Sequence, residues 1–272
     1  MCRAKLVDNG SKKKIEQLHE WVKKGKAWAM GMLAGRYRKG QGVKQSDKKA
    51  VELYEMAAKR GNAGAQYNLG LCYYQGSHGL TQSSTRALEY YTLAAEQGHT
   101  ESQTNLGYMY RDGDGIEQSD KKAIEYYEMA AKGGQANAQF NLGLFYDQGM
   151  HGLAQSSKRA IEYYTLAAEQ GHADAQYNLG IMYVSGDGIG QSNSKARELW
   201  TKSAAQGNES AIQNLKILDE KEGVKSKTTT PEVADNNIIS CSTCGKPQTK
   251  EFRLGKCACR TKRYCNSQCQ KK

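Results

Sequence analysis

The sequence contains no long run of apolar residues. Its 272 residues are 38% hydrophobic and 25% charged, and no segment approaches the roughly 20 apolar residues that a transmembrane helix needs. The basic N-terminus, residues 1–25, also lacks the continuous apolar core and the small-residue cleavage site of a secretory signal. We therefore expect a soluble protein with no membrane partner, located in the cytoplasm or the nucleus.

The middle of the chain lacks the positive charge of the whole. The formal net charge is +11, but residues 1–24 carry seven Lys and Arg against three acids, and residues 241–272 carry nine against one. The region between these two ends is therefore close to neutral. Because phosphate binding needs a basic stripe, only the ends can support nucleic-acid binding, and we do not expect nucleic acid as a partner.

Cysteine is scarce before residue 241. Six of the eight cysteines lie between Cys241 and Cys269, and only Cys2 and Cys72 lie elsewhere. Outside a secretory setting, such clustering favours metal binding over disulfide bonds. Cys72 is predicted to be an ordinary semi-buried thiol.

The chain does contain a regular repeat. A leucine recurs at steps of 36 or 37 residues, and a tyrosine follows each leucine by four positions. The repeating residues are Leu33, Leu69, Leu106, Leu142 and Leu179, with Tyr37, Tyr73, Tyr110, Tyr146 and Tyr183. A period in this range is typical of stacked two-helix units. The sequence therefore predicts five units from Ala27 onward, each with a first helix, a glycine-containing turn and a second helix.

Each second helix is predicted to begin after a serine whose hydroxyl accepts hydrogen bonds from unpaired backbone N–H groups. These serines are Ser46, Ser83, Ser119, Ser156 and Ser192. Later in each second helix, paired small residues let helix backbones approach closely, while Leu and Tyr fill the layers between units. The pairs are Ala57/Ala58, Ala94/Ala95, Ala130/Ala131, Ala167/Ala168 and Ala204/Ala205. We interpret these positions as core.

The pattern Ala-x-x-x-Leu-Gly-x-x-Tyr-x-x-Gly, followed by a glycine turn, Lys/Arg-Ala and Ala-Ala-x-x-Gly, resembles the Sel-1-like repeat, a relative of the tetratricopeptide repeat. The resemblance covers roughly residues 27–207 and implies an all-α fold, an α/α superhelical solenoid. The first unit departs from the pattern, because Ala34 stands where the other units have glycine. Ser11–Lys24 is predicted to be a capping helix, and Glu209–Glu220 a closing helix.

The chain beyond the closing helix loses this periodicity. Residues 221–240 are rich in Lys, Thr and Asn and are predicted to be a flexible linker. The predicted organisation is therefore a tail and capping helix in residues 1–26, the solenoid in residues 27–220, the linker in residues 221–240 and a small finger in residues 241–272.

The six clustered cysteines fall within 29 residues that hold few large apolar side chains. Burial alone does not hold such a segment together, whereas zinc bound tetrahedrally by thiolates supplies folding energy. We therefore predict zinc as the cofactor. Reduced thiols or disulfides are the alternative.

The segment Arg263-Tyr264-Cys265-x3-Cys269-Gln270 resembles the central signature of the MYND-type zinc finger. Such fingers bind two zinc ions in a cross-braced order. The resemblance implies a first site formed by Cys241, Cys244, Cys265 and Cys269 and a second site begun by Cys257 and Cys259.

Two features depart from this family pattern. The middle pair is Cys-x-Cys where the family has Cys-x2-Cys, and the sequence stops at Lys272, before the His and Cys that complete the second site. We therefore expect an incomplete second site and interpret the finger as truncated. The RING-type finger of ubiquitin ligases is the nearest rival, but its closing Cys-x2-Cys is absent.

Four asparagines precede the Leu-Gly pair of units two to five, namely Asn68, Asn105, Asn141 and Asn178. In tetratricopeptide-type arrays the first helices line the concave groove, so the resemblance implies that these amides bind an extended peptide. Hydrogen bonding between repeats is the alternative. The same two interpretations apply to Gln66, Gln103, Gln139 and Gln176.

Two further sets of residues invite a chemical interpretation. His78, His99, His151 and His172 form two copies of one pair, and we interpret them as turn or cap residues rather than metal ligands. Ser-x-x-Lys, a motif of β-lactam-active enzymes, begins at Ser46, Ser119 and Ser192. Because the companion motifs are absent, we interpret these matches as helix caps followed by a solvated lysine.

Together, these features predict a non-enzymatic adaptor for protein–protein interaction, since no nucleophile, base and oxyanion donor converge in the sequence. By resemblance, MYND-type fingers bind short proline-containing peptides, and two tethered modules gain effective concentration. The alternatives are a ubiquitin-ligase-associated scaffold and a nucleic-acid-binding regulator that uses the basic residues of the finger.

Overall fold

The computed structural model describes residues 2–223, 255–256 and 263–264, with side chains for residues 13–223. The chain divides into two compact units, Met1–Gly223 and Val224–Lys272. The described part of the first unit contains twelve helices. They are α1 (Cys2–Lys23), α2 (Ala27–Lys39), α3 (Asp47–Ala58), α4 (Ala63–Gln75), α5 (Ser84–Ala95), α6 (Thr100–Asp112), α7 (Asp120–Lys132), α8 (Ala136–Gln148), α9 (Ser157–Glu169), α10 (Ala173–Ser185), α11 (Asn193–Ala205) and α12 (Glu209–Glu222).

Helices α2 to α11 form the five predicted two-helix units, and each helix packs against its neighbours in sequence. Every first helix ends at a glycine in the left-handed conformation, with φ between 60° and 75°. That conformation is open to glycine at little cost. The all-α solenoid predicted from the repeat is confirmed.

The predicted serine caps are confirmed in all five second helices. Each hydroxyl oxygen accepts a hydrogen bond of 3.3 to 3.4 Å from the backbone N–H three residues later. This bond satisfies one of the N–H groups that a helix leaves unpaired at its start. The serine therefore fixes where the turn ends and the second helix begins.

A glycine in the first helix lets a tyrosine of the second helix lie against its backbone. A Cβ atom on Gly107 would lie only 2.7 Å from a ring carbon of Tyr127, and a Cβ on Gly70 would meet Tyr91 at 2.6 Å. Both tyrosines are fully buried. The predicted role of the tyrosines in packing is therefore confirmed, and the glycine explains how closely the two helices of a unit approach.

The predicted core pair Ala204/Ala205 is wrong by one residue. Ser203 is fully buried, whereas Ala205 is exposed. Trp200 sets this register, because it occupies the place of Tyr164 of the preceding unit and lies against Gly180. The Ser203 hydroxyl is satisfied by donating a 2.8 Å hydrogen bond to the backbone carbonyl of Ala173, which allows a polar residue in this core position.

Helices α1 and α12 cover the two ends of the stack. Ile15 and Leu18 of α1 are buried against Ala29 and Leu33 of the first unit. Helix α1 begins at Cys2 rather than at the predicted Ser11, since residues 3–6, Arg-Ala-Lys-Leu, are all good helix formers. At the other end, Leu218 of α12 is buried in a cluster with Trp200 and Ala211.

The described part of the second unit is a two-stranded antiparallel ribbon, which was not predicted. Strands β1 (Gly255–Lys256) and β2 (Arg263–Tyr264) pair Gly255 with Tyr264 and Lys256 with Arg263. Residues 221–222, predicted as linker, belong to α12, which ends only at the C-cap Gly223. The rest of the linker, residues 224–240, and the six predicted zinc ligands lie outside the described residues, namely Cys241, Cys244, Cys257, Cys259, Cys265 and Cys269. No helix in the described part of the chain has both the length and the hydrophobicity that a membrane span requires.

Candidate binding site on the first helices of the repeat

We call the surface formed by α2, α4, α6, α8 and α10 the first-helix face. Three of the four predicted asparagines hydrogen-bond to the preceding unit from this face. Asn141 Nδ2 donates to the Tyr108 hydroxyl at 2.9 Å, Asn178 Nδ2 donates to the Tyr164 hydroxyl at 3.1 Å, and Asn68 Oδ1 accepts from Arg38 at 3.1 Å. These bonds match the alternative interpretation, hydrogen bonding between repeats. Peptide binding by the same amides stays a prediction.

The four glutamines that precede these asparagines in the pattern also join neighbouring units. Each is buried, and its Nε2 donates to a backbone carbonyl at the end of the preceding second helix at 3.1 to 3.2 Å. The Oε1 atom of Gln66 in turn accepts a 2.6 Å bond from Gln97, at the end of its own unit. Gln139 and Gln176 receive the same bond from Gln170 and Gln206.

This amide chain is interrupted in the third unit. Gly133 occupies the place that Gln97 has in the second unit, so the buried Oε1 of Gln103 lacks a hydrogen-bond partner among the described residues. A Cβ atom on Gly133 would collide with the methyl group of Thr100. The other three units that contain the buried glutamine have alanine where Thr100 stands, and each of them has a glutamine at the place of Gly133, namely Gln97, Gln170 and Gln206.

The histidines are turn and cap residues, as predicted. His99 and His172 are the N-caps of α6 and α10, where each Nδ1 accepts a backbone N–H at 3.3 Å. Burial lowers the pKa of both imidazoles, against the opposing charges of Glu101 and Asp174. The described residues contain no group of three His, Cys, Asp or Glu side chains placed to hold a metal ion.

The other two of the four predicted histidines lie in the longer turns. His78 and His151 have positive φ angles of 56° and 54°. Their Nδ1 atoms lie 2.9 Å from Asp47 and 2.7 Å from Asp120, the first residues of the second helices of the preceding units. They therefore join one unit to the next.

The Ser-x-x-Lys matches are helix caps, as predicted. The Lys49, Lys122 and Lys195 ammonium groups lie 5.0 to 5.3 Å from the ring centres of Tyr37, Tyr110 and Tyr183. In units two and four an arginine takes the place of the lysine, over Tyr73 and Tyr146. The cation is thus part of a packing contact that recurs in all five units.

The first-helix face contains an open cavity between α4 and α6, with a volume of about 360 Å³. One predicted residue, Asn105, lines it. The complete lining is Leu71, Tyr74, Gln75, Tyr91, Asn105, Tyr108, Met109 and Asp112. The Tyr91 hydroxyl is buried here and has no hydrogen-bond partner among the described residues. Apolar walls with a few polar groups are typical of a binding pocket.

A second feature of this face was missed by sequence reasoning. Trp28 and Met32 of α2 are 47% and 54% exposed and line a cavity of about 320 Å³ with Asn68. Met32 stands where the later units have asparagine. This departure from the repeat in the first unit was the sequence signal that could have revealed the exposed surface.

The second helices also carry a row of exposed apolar residues that sequence reasoning missed. Met56, Leu93, Met129 and Leu166 are between 41% and 48% exposed, with one residue in each of the first four units. Each directly precedes a predicted Ala-Ala pair, so their recurrence was visible in the repeat.

A Sel1 repeat model matches five consecutive segments, residues 29–62, 63–99, 100–135, 136–172 and 173–208. The chain belongs to the Sel1 repeat family. Sel1 repeat proteins act as protein-interaction scaffolds, and their fold is typically non-catalytic. The Sel1 segments end at residue 208, well before the predicted finger.

Solved Sel1 structures resemble this chain. A Sel1 repeat protein from Oxalobacter formigenes is 33% identical, with a TM-score of 0.66, over 75% of this chain and 80% of that chain. The protective antigen c5321 of uropathogenic Escherichia coli, described as having an SLR fold, is 32% identical, with a TM-score of 0.69, over 77% of this chain and 45% of that chain. A comparison with curated protein sequences gave no match.

Proposed function

We propose that this Sel1 repeat protein is a non-enzymatic scaffold whose first-helix face binds an extended segment of a partner protein. The observation that carries the proposal is the cavity between α4 and α6, which is open, largely apolar and lined by a buried tyrosine hydroxyl without a partner. Such a cavity suits one anchoring side chain of a partner.

Exposed aromatic and sulfur-containing side chains extend this surface along the array. Trp28, Met32 and Tyr74 are each more than a third exposed and belong to α2 and α4. Large exposed side chains of these types are enriched in protein interfaces. An extended segment of several residues would contact both the α2 end and the cavity.

A site-specific photo-crosslinker distinguishes the two faces of the solenoid. We expect a crosslinking amino acid at Tyr74, on the first-helix face, to give adducts whose partner peptide mass spectrometry identifies. The matched control is the same amino acid at Leu93, which is similarly exposed but belongs to the second helix α5. Adducts formed at Leu93 alone, or at neither position, would contradict the proposal.

We further propose that the C-terminal cysteines form a zinc-binding finger of the MYND type and provide a second docking surface. Six thiols within 29 residues are a donor set that zinc prefers. The carboxyl ends of β1 and β2 lie at opposite ends of the antiparallel ribbon, and Cys257 and Cys265 follow those ends in the sequence.

In the finger, Cys241, Cys244, Cys265 and Cys269 would hold the first zinc, and Cys257 and Cys259 would begin the second site. Zinc bound in this way supplies folding energy to a segment that has little core of its own. We propose short proline-containing peptides as the ligands of the finger, so that the whole chain bridges two partners or binds one partner twice.

A further inference from the structure

The cavity between α4 and α6 contains a polar group that the fold leaves unused. Tyr91 is 1% exposed, and its hydroxyl has no hydrogen-bond partner of normal distance and angle among the described residues; a weaker interaction with the Asn105 amide partly offsets the rise in its pKa. Burial raises the pKa of this hydroxyl, so it stays protonated at neutral pH. Because an unpaired buried polar group is costly, a ligand that reaches the hydroxyl gains a hydrogen bond without having to break one.

The equivalent tyrosine two units later shows how the fold can satisfy such a hydroxyl. Tyr164 donates to Asp147 at 3.4 Å and accepts from Asn178 at 3.1 Å. In the second unit the position of Asp147 is occupied by Tyr74, whose side chain is 39% exposed. The Tyr91 hydroxyl therefore lacks the carboxylate acceptor that Tyr164 has.

The largely apolar lining of the cavity includes aromatic rings and one acidic residue. Three tyrosines and Asp112 line it, together with Leu71 and Met109, and no Lys or Arg is among the lining residues. Burial and then Asp114, through a hydrogen bond and its charge, raise the pKa of Tyr74, and the charge of Asp112 adds to this effect. Arg111 is the neighbouring cation, and it is held by two hydrogen bonds to Asp112 at 2.7 and 2.8 Å.

The groups that line the cavity can contact one kind of side chain, a long aliphatic stem that ends in a cation. The Tyr91 oxygen and the carboxylate and amide oxygens accept N–H donors, and Leu71 and Met109 contact an aliphatic stem. The partly exposed ring of Tyr74 attracts a cation, whereas the Tyr108 ring already has Arg111 5.1 Å from its centre. Asp112 is the one charged residue in the lining, so the lining carries a formal charge of −1.

We propose that this cavity is a pocket for a lysine or arginine side chain of the partner segment, an assignment that rests on the scaffold function proposed above. The aliphatic stem lies along Leu71 and Met109, and the cationic head contacts the Tyr91 hydroxyl and Asp112.

A peptide library tests the pocket on the full-length protein. Nine-residue peptides that carry one fixed residue among varied positions are selected on the immobilised protein and identified by mass spectrometry. We expect enrichment of a fixed Lys or Arg. In a selected peptide, replacing that residue with norleucine, which keeps the stem and removes the charge, should weaken binding about tenfold or more, as expected for a charged hydrogen bond.

Matched variants show which residues of the protein are responsible for peptide binding. Tyr91→Phe should weaken the selected peptide roughly three- to tenfold without lowering the melting temperature, because the hydroxyl has no partner in the free protein. Tyr164→Phe, which removes a bonded hydroxyl, should lower the melting temperature and leave binding unchanged. Asp112→Asn should weaken binding, whereas Asp187→Asn, at an exposed turn of unit five, should not.

The outcomes separate the two proposals. Peptide binding that tolerates Tyr91→Phe, Asp112→Asn and norleucine overturns the pocket and leaves the scaffold function intact. Enrichment of acidic or apolar residues alone also overturns the pocket. The absence of any selected peptide overturns both the pocket and peptide binding by this face.

Discussion

At the scale of the residue, a single glycine decides whether the amide chain between the helices is complete. Gln66 is held by two hydrogen bonds, one to the preceding unit and one to Gln97 of its own unit. Gln103 makes only the first, because Gly133 has no side chain to supply the second. Thr100 occupies the space that a side chain at 133 would need.

Restoring this chain should stabilise the protein. We expect the double variant Thr100→Ala with Gly133→Gln to raise the free energy of unfolding by about 1 kcal/mol, the value of one buried hydrogen bond. Gly133 has a φ of −75°, so glutamine fits its backbone. Urea denaturation followed by circular dichroism measures the difference.

The single variant Gly133→Gln is the control, since its Cβ still meets the Thr100 methyl group. We expect it to gain less than the double variant. Equal stability of the double variant and the unaltered protein would show that the Gln103 oxygen does not need the missing donor.

At the scale of the element, the first helices from α4 onward, and the closing helix α12, each begin at a residue whose side chain caps the helix. The N-caps of α4, α6, α8, α10 and α12 are Asn62, His99, Gln135, His172 and Asn208, and in each the side chain accepts a backbone N–H. Only the two histidines can lose this acceptor by protonation. Their rings also stack on Tyr67 and Phe140, with centroids 4.7 and 4.6 Å apart.

The stability of the solenoid should therefore depend on pH between 7 and 5. Burial lowers the pKa of His99 and His172 in the folded state, so the unfolded chain binds protons first as the pH falls below about 6.5. The free energy of unfolding is expected to be highest above that value and to decrease toward pH 5. Urea denaturation at a series of pH values measures this.

The chain itself offers the matched variant, because asparagine is the cap of α4 and α12. His99→Asn with His172→Asn should reduce the decrease in stability between pH 7 and pH 5. A decrease that is unchanged in the double variant would assign the pH dependence to other groups.

At the scale of the whole molecule, the sequence predicted most of the architecture and little of the binding surface. The periodic leucines, tyrosines and serines were sufficient to place five units, since each residue has the same neighbours in every unit. The burial of Ser203 was not predicted, because Trp200 stands where the preceding unit has Tyr164 and the position of the core residues in the sequence was therefore misjudged by one. The cavity was missed because it depends on a difference between units: Tyr74 stands where Asp147 satisfies Tyr164.

The zinc prediction also belongs to the whole chain, because its ligands are spread over the C-terminal unit. We expect the purified full-length protein to contain one to two zinc ions per chain by elemental analysis. Cys244→Ser should lower this number, since it removes a proposed ligand of the first site. Cys72→Ser is the matched control, because Cys72 is a buried thiol of α4.

A protein free of zinc, or an equal loss of zinc in the two variants, would contradict the assignment. In the first case the six thiols would not form a metal site. In the second, the loss would reflect the preparation rather than the ligands.

The central claim is that the first-helix face binds a polypeptide, and hydrogen–deuterium exchange of the full-length protein tests it most directly. With a library-selected basic peptide in excess, we expect slower exchange in α4 and α6 and little change in α5 and α7. The same peptide with glutamate at the fixed position should give no protection. Protection confined to the second helices, or none in the solenoid despite measured binding, would contradict the account.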